Sequence, residues 1–340
     1  MQRGKRLTLD LNGYTLSRGL TTATNEGFVI GVRGELEIYD SYGSGKITGG
    51  WNSDMGGGVF VGDGGKLKLS KGSISGNRTK RSGGGVWVSA GGSLQLWGGA
   101  ISDNEAGEDG GGVCVTECAG YAGLDLGLDG AITGNRAGGL GGGVFLYDSG
   151  MDMSGGAIHD NSADSGGGVA LMKSALLTMN SGRIERNTAA NDGGGVLLAG
   201  GDNPSTLQQK GGLITGNSAT LGGGVYNSKA VFHLYGGSVD NNVAQDGAGV
   251  FLNGGRMEMS RSSVSQNTAT GTGGGVCLAN GSTLIENEGY DIFGNAAKGG
   301  GGVFVDSGSR FELYGSSVRA NTAAYGAGVA VSGYFGLYGG

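Results

Sequence analysis

The sequence predicts an all-β fold: a right-handed parallel β-helix of about twelve coils, each with about 27 residues and three short strands. Three observations carry that expectation. A glycine triplet followed by valine recurs along nearly the whole chain, at Val59, Val86, Val113, Val144, Val169, Val196, Val225, Val250, Val276, Val303 and Val329, softened to Gly-Ala-Gly before Val250 and Val329. An Ile or Val followed three residues later by Asn keeps pace with it, ending at Asn77, Asn104, Asn135, Asn161, Asn187, Asn217, Asn242, Asn267, Asn295 and Asn321. Between the two lies an alternating apolar pair, such as Leu67/Leu69, Leu94/Leu96, Met151/Met153, Met257/Met259 or Phe311/Leu313.

Composition agrees with a solenoid and excludes its rivals. Collagen needs glycine at every third residue and abundant proline, whereas here 82 glycines stand against the single Pro204; a 37% hydrophobic content is too high for a disordered linker. Period-two alternation punctuated by glycine is strand, and such short strands are stable only when coils stack at about 4.8 Å and like residues pile over like.

Residues 1–46 read as N-terminal strands and a first irregular coil, built from LTLDLNGYTLS and the segment Phe28 to Ile30. Residues 47–340 read as the repetitive β-helix, continuous with the first part as one domain and ending in mid-coil. Tyr334 to Gly340 match the strand from Phe311 to Gly315 and stop before the next Ile-x-x-Asn, so the natural protein is expected to continue or be capped. Within a coil, Val59 and Val61, Leu67 and Leu69, then Ile74 and Asn77 should point inward. A buried Asn is costly unless its amide is bonded, so the Asn column should be a structural ladder of carboxamides. The glycines before each valine should serve tight turns with positive φ or close coil packing; no Lys and helix follow as a phosphate-binding loop would need. The longest steps, Val113 to Val144 and Val196 to Val225, place insertions at Glu117 to Gly123 and Ala199 to Thr206, expected as loops on one side of the solenoid.

The net charge of -6, with 23 scattered basic residues, gives no nucleic-acid footprint. No stretch approaches the roughly 20 apolar residues that span a bilayer, and the N-terminus has no signal-peptide core. Cys114, Cys118 and Cys277 form neither a disulfide framework nor a zinc pattern. Asp125 and Asp152 are expected to stack on adjacent coils as a solvated pair. The two histidines, His159 and His233, belong to different outer faces and build no Ser-His-Asp set, while His233 should sit beside Glu258 as a surface ion pair. Asp109, Asp192 and Asp246 do not make the tandem nonapeptide that binds calcium in β-rolls. No catalytic residue, metal or cofactor is expected.

The residue between the two inward positions of the valine strand should face outward. Its column reads Phe60, Trp87, Cys114, Phe145, Ala170, Leu197, Tyr226, Phe251, Cys277, Phe304 and Ala330, against a polar column on the second strand that includes Lys68, Gln95, Asp152, Gln208, His233 and Glu258. An exposed aromatic stripe of this length should be covered or used. Phe60, Trp87, Phe145, Leu197, Tyr226, Phe251 and Phe304 are therefore the expected binding residues, for a host glycan or extracellular protein or for a second copy of the chain.

The paired signatures, from about residue 47 to 331, resemble the GGA[ILV] and Phe-x-x-Asn repeats of chlamydial polymorphic outer-membrane proteins, with Ile or Val in place of the Phe. The stretches LTLDLNGYTL and IYDSYGSGKITGG are similar to large glycine-rich surface proteins of gut bacteria. Either resemblance implies a β-helical, non-enzymatic adhesin at the cell surface or outside the cell. A structural stalk or filament subunit is the alternative, and a β-helix polysaccharide lyase or glycoside hydrolase the second.

Overall fold

In the computed structural model, residues 2–338 are described except 63, 119–121, 288 and 290. Among the described residues there is no helix. The chain is a parallel β-solenoid whose coils recur about every 27 residues; among the described residues the eleven valine strands and the strand Ile30–Val32 before them form one twelve-stranded sheet. It divides into two compact units, one of residues 1–164 and 168–170, the other of residues 165–167 and 171–340.

The first full repeat of the first unit shows how a coil is made. The valine strand Val59–Val61 is followed by a second strand, Lys66–Leu69, a third, Ser73–Ser75, and a fourth, Arg78–Thr79. The alternating pair and the Ile of the Asn signature thus occupy separate strands of one sheet. A short strand beyond the Asn, absent from the three-strand expectation, forms another sheet. Each strand pairs in parallel with its counterpart one coil on: Val59 with Val86, Leu67 with Leu94, Ile74 with Ile101 and Arg78 with Glu105. In the second unit the same columns run through Val196, Val225, Val250, Val276, Val303 and Val329.

Inward positions are almost completely dry: Val59, Val61, Leu69 and Ile74 are 0% exposed and Leu67 is 1%. Each such side chain contributes about 1.5–3 kcal/mol on burial, and identical neighbours above and below supply the close packing.

The Asn residues sit at the bend after the third strand and are all buried. Asn104 is representative: its Nδ2 donates to the Ile74 carbonyl of the preceding coil at 2.9 Å and to Asn135 Oδ1 of the next at 3.0 Å. Its Oδ1 accepts the Asn77 backbone N–H and the Asn77 amide, at 3.0 and 3.1 Å. The same exchange runs from Asn187 through Asn217, Asn242, Asn267 and Asn295 to Asn321. Polar groups that would be costly to bury are thereby satisfied coil by coil.

The glycine triplet and the Asn signature are two sides of one contact. A Cβ on Gly85 would lie 2.8 Å from both Asn104 Nδ2 and Ile101 Cγ2, so only glycine lets the coil close onto its own Asn bend. Gly83 adopts φ +75°, and a Cβ there would meet the Trp87 Cβ at 2.9 Å, because the turn folds back over the outer side of the valine strand.

Candidate functional site

That fold-back decides the fate of the expected aromatic face. The side chains do alternate away from the core, but the stripe is not open. Phe145, Leu197 and Tyr226 are only 7%, 7% and 8% exposed. Phe60, Trp87, Phe251 and Phe304 are half-buried. Rings cover rings: Phe28 stacks on Phe60 at 5.6 Å, Phe60 lies 4.9 Å from Trp87, and Tyr226 stacks on Phe251 at 5.5 Å. Period-two alternation tells inside from outside; it does not register a glycine turn laid over the outside. Much of the surface for which a second copy of the chain was invoked is covered within the chain.

Outside the end coils, where Tyr14, Tyr42, Tyr325 and Tyr334 are exposed, the exposed aromatics occupy another column. Immediately after the second inward residue of the second strand stand Tyr39, Ser70 and Trp97 on successive coils of the first unit, following Ile38, Leu69 and Leu96. Gly127 and Ser154 come next, after Leu126 and Met153. In the second unit the position holds Asn180, Lys210, Tyr235, Ser260, Asn287, Tyr314 and Tyr338. Among the described residues between 46 and 321, Trp97 at 52% and Tyr235 at 39% are the two exposed aromatic residues, and both lie in this column. Their neighbours above and below are small or polar, so each ring stands as a pillar. Sequence reasoning missed the column, although its signal is present in LWGG, LYGG, LYGS and LYGG at Leu96, Leu234, Leu313 and Leu337.

Trp97 is held in place. Its indole N–H donates to Asp125 Oδ2 at 3.1 Å, and Lys68 Nζ lies 5.3 Å from the ring centroid. Gly127 is needed beside it, since a Cβ there would come within 3.0 Å of Trp97. Asp125 also borders a trough of about 690 Å³ lined by Lys66, Ser93, Gln95, Glu117, Asp125 and Asp152. Asp125 and Asp152 pair in register on adjacent coils, as the sequence suggested. Upstream, Glu35 is held below its usual range by Arg6 and Lys66, and Glu37 by Lys68. The insertion from Glu117 to Gly123 borders this trough through Glu117, while its residues 119–121 lie outside the described residues. The other insertion, Ala199 to Thr206, carries exposed residues from Gly201 to Pro204, and the Asn203 carbonyl accepts the Ser174 N–H at 3.0 Å.

In the second unit His233 and Glu258 are neighbours in register, with Nδ1 and Oε2 3.4 Å apart. Tyr235 joins them: its hydroxyl is 2.7 Å from His233 Nδ1 and donates to Glu258 at 3.2 Å. Arg256 bonds Glu258 and holds that carboxyl below its usual range against the opposing effect of burial. His159 lies 2.6 Å from Asp160 and 3.1 Å from Thr133. The three cysteines are buried thiols, and burial raises the pKa of each. Among the described residues no group of three His, Cys, Asp or Glu side chains could hold a metal ion. No family model, curated protein or solved structure matches this chain.

Proposed function

We propose that this chain is a non-enzymatic, adhesin-type β-solenoid of a bacterial surface, and that it binds glycan through the column of Tyr39, Trp97, Tyr235, Tyr314 and Tyr338. The observation that carries the reading is the confinement of Trp97 and Tyr235 to one repeat position between small or polar neighbours. An aromatic ring standing proud of a polar strand offers a flat face to the C–H side of a sugar ring, and flanking carboxylates and amides offer hydrogen bonds to its hydroxyls. Asp125, bonded to the Trp97 indole, is such a group, and Gln95 and Asp152 line the same trough as Asp125.

Hydrolysis is a weaker reading of the same surface. A general acid needs a carboxyl whose pKa is raised by an apolar pocket. Neither carboxyl beside the trough sits in such a pocket: Asp152 is exposed, and Asp125 accepts the hydrogen bond from the Trp97 indole.

The test is a glycan array probed with the whole chain, with Trp97→Ala plus Tyr235→Ala, and with Trp87→Ala, folding being checked by circular dichroism. Binding should survive Trp87→Ala and disappear in the double variant. Binding lost in a folded Trp87→Ala protein and retained in the double variant would return the site to the valine strand. Turnover of any bound polysaccharide would make the chain an enzyme.

A further inference from the structure

The column in the second unit forms a cleft whose chemistry differs from the trough beside Trp97. Tyr235, Ser260, Asn287 and Tyr314 follow Leu234, Met259, Glu286 and Leu313, which pair coil to coil in parallel register. Four successive coils thus set two short polar side chains between two phenol rings, and at about 4.8 Å per coil the rings stand roughly 14 Å apart. The space is about 640 Å³, and Arg261 supplies a guanidinium beside it. Both walls are fixed. The Tyr235 hydroxyl is tied to His233 and Glu258, and its ring stacks on His233 at 5.0 Å. Tyr314 stacks on Tyr338 at 4.6 Å.

The nearby arginines differ in availability. Arg256 is committed to Glu258 and Arg310 to Glu312. Arg261 is exposed and has no hydrogen-bond or ion-pair partner among the described residues. Among the described residues no acidic side chain lines the cleft, whereas Glu117, Asp125 and Asp152 line the trough of the first unit. A free guanidinium fork, a hydroxyl and a carboxamide between two rings match a planar carboxylate carried on a hydroxyl-rich ring. We propose that this cleft binds a carboxylate-bearing saccharide, a uronic acid residue within a glycan chain. Arg261 holds the carboxylate, Ser260 and Asn287 bond ring hydroxyls, and Tyr235 and Tyr314 bracket the sugar. The assignment rests on the glycan reading of the column and adds the class of sugar.

The experiment is calorimetric titration of the full chain with an oligogalacturonate, with a glucuronate-containing oligosaccharide, and with each after reduction of its carboxyl groups to the neutral alcohol. Arg261→Gln and Arg261→Lys are measured beside it. At least one acidic oligomer should bind about tenfold more tightly than its reduced form, as expected for one charge-assisted contact. Arg261→Gln should abolish that preference and Arg261→Lys restore part of it. Reduced and acidic oligomers binding alike, or a preference unchanged in Arg261→Gln, would overturn the carboxylate assignment and leave the glycan reading standing. Failure of every oligomer, acidic and neutral, would overturn the assignment, and an array free of any hit would then overturn the glycan reading as well. Tighter binding of a sulfated oligosaccharide than of either uronate would replace carboxylate by sulfate ester and equally overturn the proposal.

Discussion

Glu286 stands where Leu69, Leu96, Met259 and Leu313 stand in other coils, facing the core between Met259 and Leu313. It is 1% exposed, and neither carboxylate oxygen has a hydrogen-bond partner among the described residues. Burial, assisted by the negative charge of Asp291, pushes its pKa up to about 8 from the ordinary 4.5. The folded chain therefore keeps this carboxyl protonated over a range in which the unfolded chain releases the proton. Stability is fully present below pH 4.5 and falls as pH climbs to about 8, where the folded form also ionises. The loss is about 1.4 kcal/mol per pH unit, or about 5 kcal/mol over the whole window. Glu286→Leu, which installs the side chain found at the same position in other coils, should remove this dependence and stabilise the chain by several kcal/mol near pH 8. The assay is urea unfolding of both proteins between about pH 5 and about pH 8. Hydrogen exchange of the amides in Thr283–Glu286 and Arg310–Tyr314 would show whether opening is local, as solenoids allow. Parallel stability profiles for the two proteins across that window would refute the reasoning.

Three further outcomes follow from the packing. Asn242→Ala should cost about 3–5 kcal/mol, because it strips partners from the Ile214 carbonyl and the Asn217 backbone N–H; a loss below about 1 kcal/mol in chemical denaturation would mean the ladder is not needed. Trp87→Ala should destabilise by about 1–3 kcal/mol, less than for a core aromatic because the ring is half-buried, and leave glycan affinity unchanged; melting and array binding read the two effects separately. Cys277, its thiol pushed up to about 12 by burial, should react with iodoacetamide in native protein far more slowly than after unfolding, and equal rates would place it at the surface.

The sequence carries the fold because the repeat amplifies every signal. One Gly-Gly-Gly-Val is weak, but nine of them and two Gly-Ala-Gly-Val variants in step with ten Asn bends leave stacked coils as the economical solution, and the buried Val59, Ile74 and Asn77 occupy the positions alternation assigns to them. The exterior was harder to read. Phe60 and Trp87 point away from the core as expected, yet their exposure depends on turn geometry at Gly56 and Gly83 and on ring stacking across coils, neither of which a period-two pattern contains. Trp97 and Tyr235 sit one residue beyond the regular alternation, where only some coils carry an aromatic, so no column stood out. Glu286 was equally hidden: its core position is plain from register, but a carboxyl there runs against the rule that inward residues are apolar.

The most direct measurement is intrinsic tryptophan fluorescence with acrylamide quenching during titration with an array-selected glycan. Trp97 is the exposed tryptophan, while Trp51 and Trp87 are half-buried. Saturating ligand should protect one tryptophan from acrylamide in the native chain, and that protection should vanish in a folded Trp97→Tyr variant. Protection that persists in Trp97→Tyr, or bound glycan that leaves both quenching in the native chain and affinity in Tyr235→Ala unchanged, would contradict the assignment of the exposed aromatic column as the binding site.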